Sequence, residues 1–182
     1  TNQNEASVSL VGSDLVAFAG GEDQEGAVYM LGVGSVGSFT QVASLGDVIG
    51  MAATQFRGQT YVGGMDNAVG GGAATLQRLA GATAVTIDMP FAIGGGGVRQ
   101  EVTGMLTVQY AGVSATSSNT EVMVLAIGSF DRNVGVGLGG LVVATDGVDF
   151  EIMQRFEGEA PTSLVFADNT LYVATDGGKL QY

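Results

Sequence analysis

Short runs of β-branched and aromatic residues, each closed by glycine, aspartate or asparagine, recur along the whole chain. That is the pattern of strands joined by tight turns. Residues 7–11 precede the turn Gly12-Ser13-Asp14, and 15–19 end in Gly20-Gly21. An acidic loop at 22–26 leads to 27–31, and 39–42 complete a meander of four strands. The order returns in 49–56, Arg57-Gly58, 59–64, a glycine-rich loop at 66–72, 74–79 and 84–87. A third unit reads 102–106, 121–127, 141–145 and 150–153, lengthened by polar or glycine-rich insertions at 112–120 and 128–140. A last, shorter unit comprises 163–166, a turn at Ala167-Asp168-Asn169, 171–175 and 179–182.

The chain has 31 glycines and 2 prolines without a three-residue period, which excludes collagen and demands many turns. A helical bundle would be weakened by so much glycine. Equivalent strands recur at roughly 40 to 65 residues, in the range of propeller blades. The sequence therefore predicts an all-β, β-propeller-like fold of repeated four-stranded antiparallel meanders. About three and a half units, near 6–46, 48–89, 100–156 and 160–182, make a single domain, either four-bladed or part of a larger propeller. The first and last units match best, residues 9–21, which begin Ser9-Leu10-Val11, beside residues 163–175, which begin Ser163-Leu164-Val165.

Two stretches, Ala144-Thr145-Asp146-Gly147-Val148-Asp149-Phe150 and Ala174-Thr175-Asp176-Gly177-Gly178-Lys179-Leu180, resemble the Asp-box turn of BNR-type and sialidase-like propellers. Ala stands where that family has a leading Ser, and Phe150 where it has Trp. The resemblance implies a turn between the third and fourth strands of a blade, with Asp146-Gly147 and Asp176-Gly177 at its centre. It implies that each aspartate caps the amides of its own turn. It implies no activity, because Asp boxes lie away from the catalytic face in that family.

Composition removes several functions. With 46% hydrophobic and 13% charged residues, the chain is not of the disordered class. Its net charge of −12 and its lack of any Lys or Arg cluster set aside nucleic acid and anionic membranes as partners. No apolar run approaches the ~20 residues of a membrane-spanning helix. Cysteine and histidine are absent, so thiol chemistry, disulfides, a Ser-His-Asp triad and the commonest metal ligand are unavailable. The chain opens on Thr1 and a polar TNQNEAS, which suits either a processed product or a segment of a longer one.

The remaining motifs have simple readings. Gly70-Gly71-Gly72 and Gly94-Gly95-Gly96-Gly97 lack the phosphate-loop pattern and read as turns. Glu22-Asp23-Gln24-Glu25-Gly26 lacks EF-hand spacing and reads as a solvated hairpin loop, so no metal and no cofactor are expected. A glycosidase would need two facing carboxylates, for which Glu101, Glu121 and Asp131 are the nominees. A sialidase would also need clustered arginines, whereas Arg57, Arg78, Arg99, Arg132 and Arg155 are dispersed. Phe18, Tyr29, Tyr61, Phe150 and Tyr172 sit inside strands, as packing residues do.

The two insertions of the third unit are the segments nominated for partner contact, through Ser114, Thr116, Asn119, Asp131 and Asn133. The expected function is a non-enzymatic binding or assembly module, extracellular or on a particle surface. Its partner would be a protein (a second copy included) or a glycan. The alternatives are a structural subunit of a virion or extracellular filament, and a carbohydrate-active hydrolase.

Overall fold

A computed structural model of the chain describes residues 4–11, 14–21, 24–32, 38–66, 72–91, 97–109 and 121–182. They form fifteen strands in four antiparallel sheets, and each sheet is a meander whose neighbours follow chain order. The first holds β1 (Asn4–Val11), β2 (Asp14–Gly21), β3 (Gln24–Gly32) and β4 (Thr40–Gly46). The second holds β5 (Val48–Phe56), β6 (Gln59–Asp66), β7 (Ala74–Ala80) and β8 (Thr83–Ile87). The third holds β9 (Val98–Gln109), β10 (Glu121–Asp131), β11 (Gly137–Thr145) and β12 (Phe150–Glu157). The last has three strands, β13 (Pro161–Ala167), β14 (Thr170–Thr175) and the two-residue β15 (Leu180–Gln181).

Hairpin chemistry sets the registers. Arg57 and Gly58 both have positive φ, 49° and 74°, as a two-residue turn matched to strand twist requires. Asp168 and Asn169 repeat that geometry at 50° and 59°, and both residue types tolerate it.

The sheets stack in chain order through one recurring contact. The first strand of each lies across three strands of its predecessor: β5 on β1–β3, β9 on β5–β7 and β13 on β9–β11. Three apolar layers result. Val16, Phe18 and Val28 pack with Val48, Ala53 and Val62 between the first two sheets. Phe56, Tyr61 and Leu76 pack with Val102, Met123, Leu125, Ile127 and Val143 between the second and third. Val122, Val124, Val142 and Phe156 meet Val173, Leu164, Phe166 and Leu171 between the third and fourth. In β10, alternation sends Met123, Leu125 and Ile127 to one layer and Val122 and Val124 to the other, so its whole central run is buried.

Polar side chains, buried or partly buried, tie each sheet to the next. The Gln77 side-chain amide donates to the Leu45 carbonyl at 3.1 Å. Thr107 Oγ1 donates to the Gln55 carbonyl at 2.7 Å and lies 3.1 Å from Thr54 Oγ1. Thr103 Oγ1 donates to the Pro161 carbonyl at 2.8 Å.

The structure corrects the expected insertion in the third unit. Residues 128–140 are not a long loop: β10 runs to Asp131, β11 starts at Gly137, and only 132–136 turn between them. The glycines there serve close approach. A Cβ on Gly128 would stand 3.1 Å from the Pro161 carbonyl oxygen, and one on Gly140 would strike the Pro161 ring. The chain entering the last sheet thus lies on a floor that only glycine leaves open.

Candidate functional site

The two Asp-Gly turns differ in place and in bonding. Asp146 follows β11 and precedes β12, the third and fourth strands of their sheet. Its Oδ1 accepts the amides of Val148 and Asp149, both at 3.0 Å. Thr145 Oγ1 accepts from the Gly147 amide at 3.0 Å and donates to the Asp149 carbonyl at 2.6 Å, and Gly147 takes φ 94°. Partial burial pushes the Asp146 carboxyl up, but the amides of Asp149 and Val148 and the charge of Arg57 together hold it below its ordinary value.

Asp176 follows β14, only the second strand of its sheet. Its carboxylate does not cap the amides of its own turn. Oδ1 accepts the Ala160 amide at 2.8 Å and Oδ2 the Gly137 amide at 2.7 Å. Ala160 is fully buried in the link between the third and fourth sheets, and Gly137 opens β11. The expected self-capping is therefore corrected here: this aspartate ties the last sheet to its neighbour. Beside it, Thr175 Oγ1 donates to Glu159 Oε2 at 2.9 Å and Lys179 pairs with Glu159 Oε1. Lys179 and Thr175 hold the Glu159 carboxyl below its usual value. A Cβ on Gly177 would fall 2.5 Å from the Glu159 carboxyl carbon, so a side chain there would displace that carboxylate.

The nominated partner-contact residues divide. Ser114, Thr116 and Asn119 lie outside the described residues, as do Glu22 and Asp23 of the acidic loop. Asp131 ends β10 and caps the following turn, its Oδ1 accepting the amides of Asn133 at 2.8 Å and Val134 at 3.2 Å. Asn133 is exposed in that turn.

The nominated carboxylates do not converge. Glu121 and Asp131 stand at opposite ends of β10, ten residues apart, about 33 Å along a strand. Glu101 pairs with Gly128 and Asp131 with Val98, three positions away, which puts the two acids on opposite faces. Glu101 is buried beside Arg99, 3.7 Å from its Nε. Among the described residues no group of three acids could hold a metal ion. The five arginines occupy separate elements, Arg57 lying over Phe56 and Arg99 over Phe130.

A further surface feature lies on the last sheet. The last sheet buries Leu164, Phe166, Leu171 and Val173 against the third. Its other face carries Ser163, Val165, Ala167, Tyr172, Ala174 and Leu180, which line a shallow, almost wholly apolar depression of about 410 Å³. Val165 is 56% exposed and Leu180 62%. Register places Val165 opposite Tyr172, and Ser163 and Leu180 either side of Ala174. The sequence signal was available. Every residue of 163–167 except Ser163 is apolar, so both faces of that strand were bound to be greasy.

No protein-family model matches the chain, and no curated protein is significantly similar to it in sequence.

Proposed function

We propose that this chain is a β-propeller-type module that works by association, outside the cell or on the surface of a particle. The single observation that carries the proposal is the open apolar face of β13–β15. A solvated face with this many apolar side chains costs solubility unless something is to cover it. Three four-stranded meanders and one of three strands, stacked in chain order, fit a propeller-type arrangement of blades. The hydrogen bonds of the Asp146 turn agree with the resemblance to Asp-box propellers. A chain without histidine or cysteine, whose nominated acids stand apart, suits recognition better than catalysis.

The first sheet favours a more specific reading as a structural subunit of a virion or filament. It too has an exposed apolar residue, Val8, on the side away from the second sheet.

The test is a double variant, Val165→Asp with Leu180→Asp, compared with wild type by circular dichroism, binding of an apolar fluorescent dye and light scattering. Loss of dye uptake and of association, with the fold retained, is the expected result. A variant that matches wild type in both would remove this face as the working surface. Hydrolysis of a glycan substrate that is lost on changing Glu101, Glu121 or Asp131 would instead favour the hydrolase.

A further inference from the structure

We infer that the occupant of the open face on β13–β15 is the first sheet of a second copy of this chain, seated head to tail. The inference rests on the association reading above and names its partner. Three times within the chain the same event occurs: one sheet's far face receives the first strand of the next sheet, laid across its first three strands. The last sheet presents a far face of the same chemistry, Val165, Tyr172 and Leu180 among the small residues Ser163, Ala167 and Ala174. Nothing among the described residues lies across it, since β1–β4 make no substantial contact with β13–β15.

The complementary surface stands at the other end of the stack. Val16, Phe18 and Val28 of the first sheet point into the layer against the second. Alternation therefore places Val8, Ala17 and Tyr29 on its outer side, where register aligns them in one row across β1, β2 and β3. Val8 is 59% exposed. The chain thus has a donor face led by β1 and an acceptor face on β13–β15. Ser9-Leu10-Val11 of β1 matches Ser163-Leu164-Val165 of β13, a strand that already seats on such a face within the chain. Because the two faces differ, the contact is heterologous: it closes into a ring or grows into a filament, according to the rotation between copies.

Two single variants separate this arrangement from every other. Val165→Asp spoils only the acceptor face and Val8→Asp only the donor face. Wild type should form species above 18.3 kDa whose size rises with concentration. Each variant alone, folded by circular dichroism, should be monomeric. Mixed, they should form a one-to-one pair and nothing larger, because one intact donor meets one intact acceptor. A wild type that stays monomeric, a variant that still assembles alone, or a mixture that stays monomeric would each overturn the inference. Dye binding then separates an open docking face from a second copy as its occupant. A monomeric wild type that takes up apolar dye, lost in Val165→Asp, discards the second copy but keeps the open face as a docking surface. Equal dye uptake in both discards both.

Discussion

The face that β9–β12 turn toward the last sheet and the face that β13–β15 turn away from it are made of similar material. The first has Val122, Val124, Val142 and Phe156, with Gly104, Gly128 and Gly140 as the low points where Pro161 to Leu164 come close. The second has Val165, Tyr172 and Leu180, with serine and alanine between them. One is covered by a strand of its own chain and fixed by Thr103 and Asp176, and the other meets solvent. Apolar composition alone therefore does not make a core. What makes one is a covering strand, held by polar ties such as those of Thr103 and Asp176.

Substitutions on the two faces should differ most where side-chain volume is lost. Phe156→Ala, on the covered face, should cost about 3–5 kcal/mol in chemical denaturation. Val165→Ala, on the open one, should stay within about 0.5 kcal/mol for the isolated chain. Similar costs for the two would mean that the open face is covered in solution.

The polar tie comes next in size. Asp176→Ala strands the amides of buried Ala160 and of Gly137, and should cost about 1–3 kcal/mol. Its effect should be local, raising amide hydrogen exchange in β13–β15 above that in β5–β8. Asp146→Ala loses amide bonds that water can replace at the surface, and should cost about 1 kcal/mol or less. A reversed order would show that the second aspartate is only a turn residue.

The smallest effect is that of pH. The Asp146 carboxyl is held below its ordinary value of about 3.9, so its contribution is complete above that value. It is lost as pH falls through the lower, folded-state value. The melting temperature of wild type should therefore drop more between about pH 5 and pH 2 than that of Asp146→Asn. Glu159, also held low, adds a loss of the same sign, weakened by solvent.

Much of the architecture was legible because it is written locally. Alternating β-branched residues announced the strands, and Arg57-Gly58 and Asp168-Asn169 announced the hairpins through the backbone angles those residues accept. Long-range roles were not legible. The partners of Asp176 lie 16 and 39 residues away, so nothing near it separates a self-capping aspartate from one that ties two sheets. Residues 128–140 resembled an insertion because glycine carries no side-chain alternation. Close neighbours distant in sequence, Pro161 beside Gly140 and Asp176 beside Gly137, are among the reasons strand positions there stay bare.

The central claim is that the apolar far face of the last sheet completes itself on another copy. Sedimentation velocity of the 182-residue chain across protein and salt concentration tests it most directly. Each copy carries a net charge of −12, so salt should screen mutual repulsion while leaving apolar contact intact. The expected mass climbs above 18.3 kDa with protein concentration and climbs further as salt rises from about 0.02 M to 0.3 M. A single 18.3 kDa species at every protein and salt concentration would contradict it.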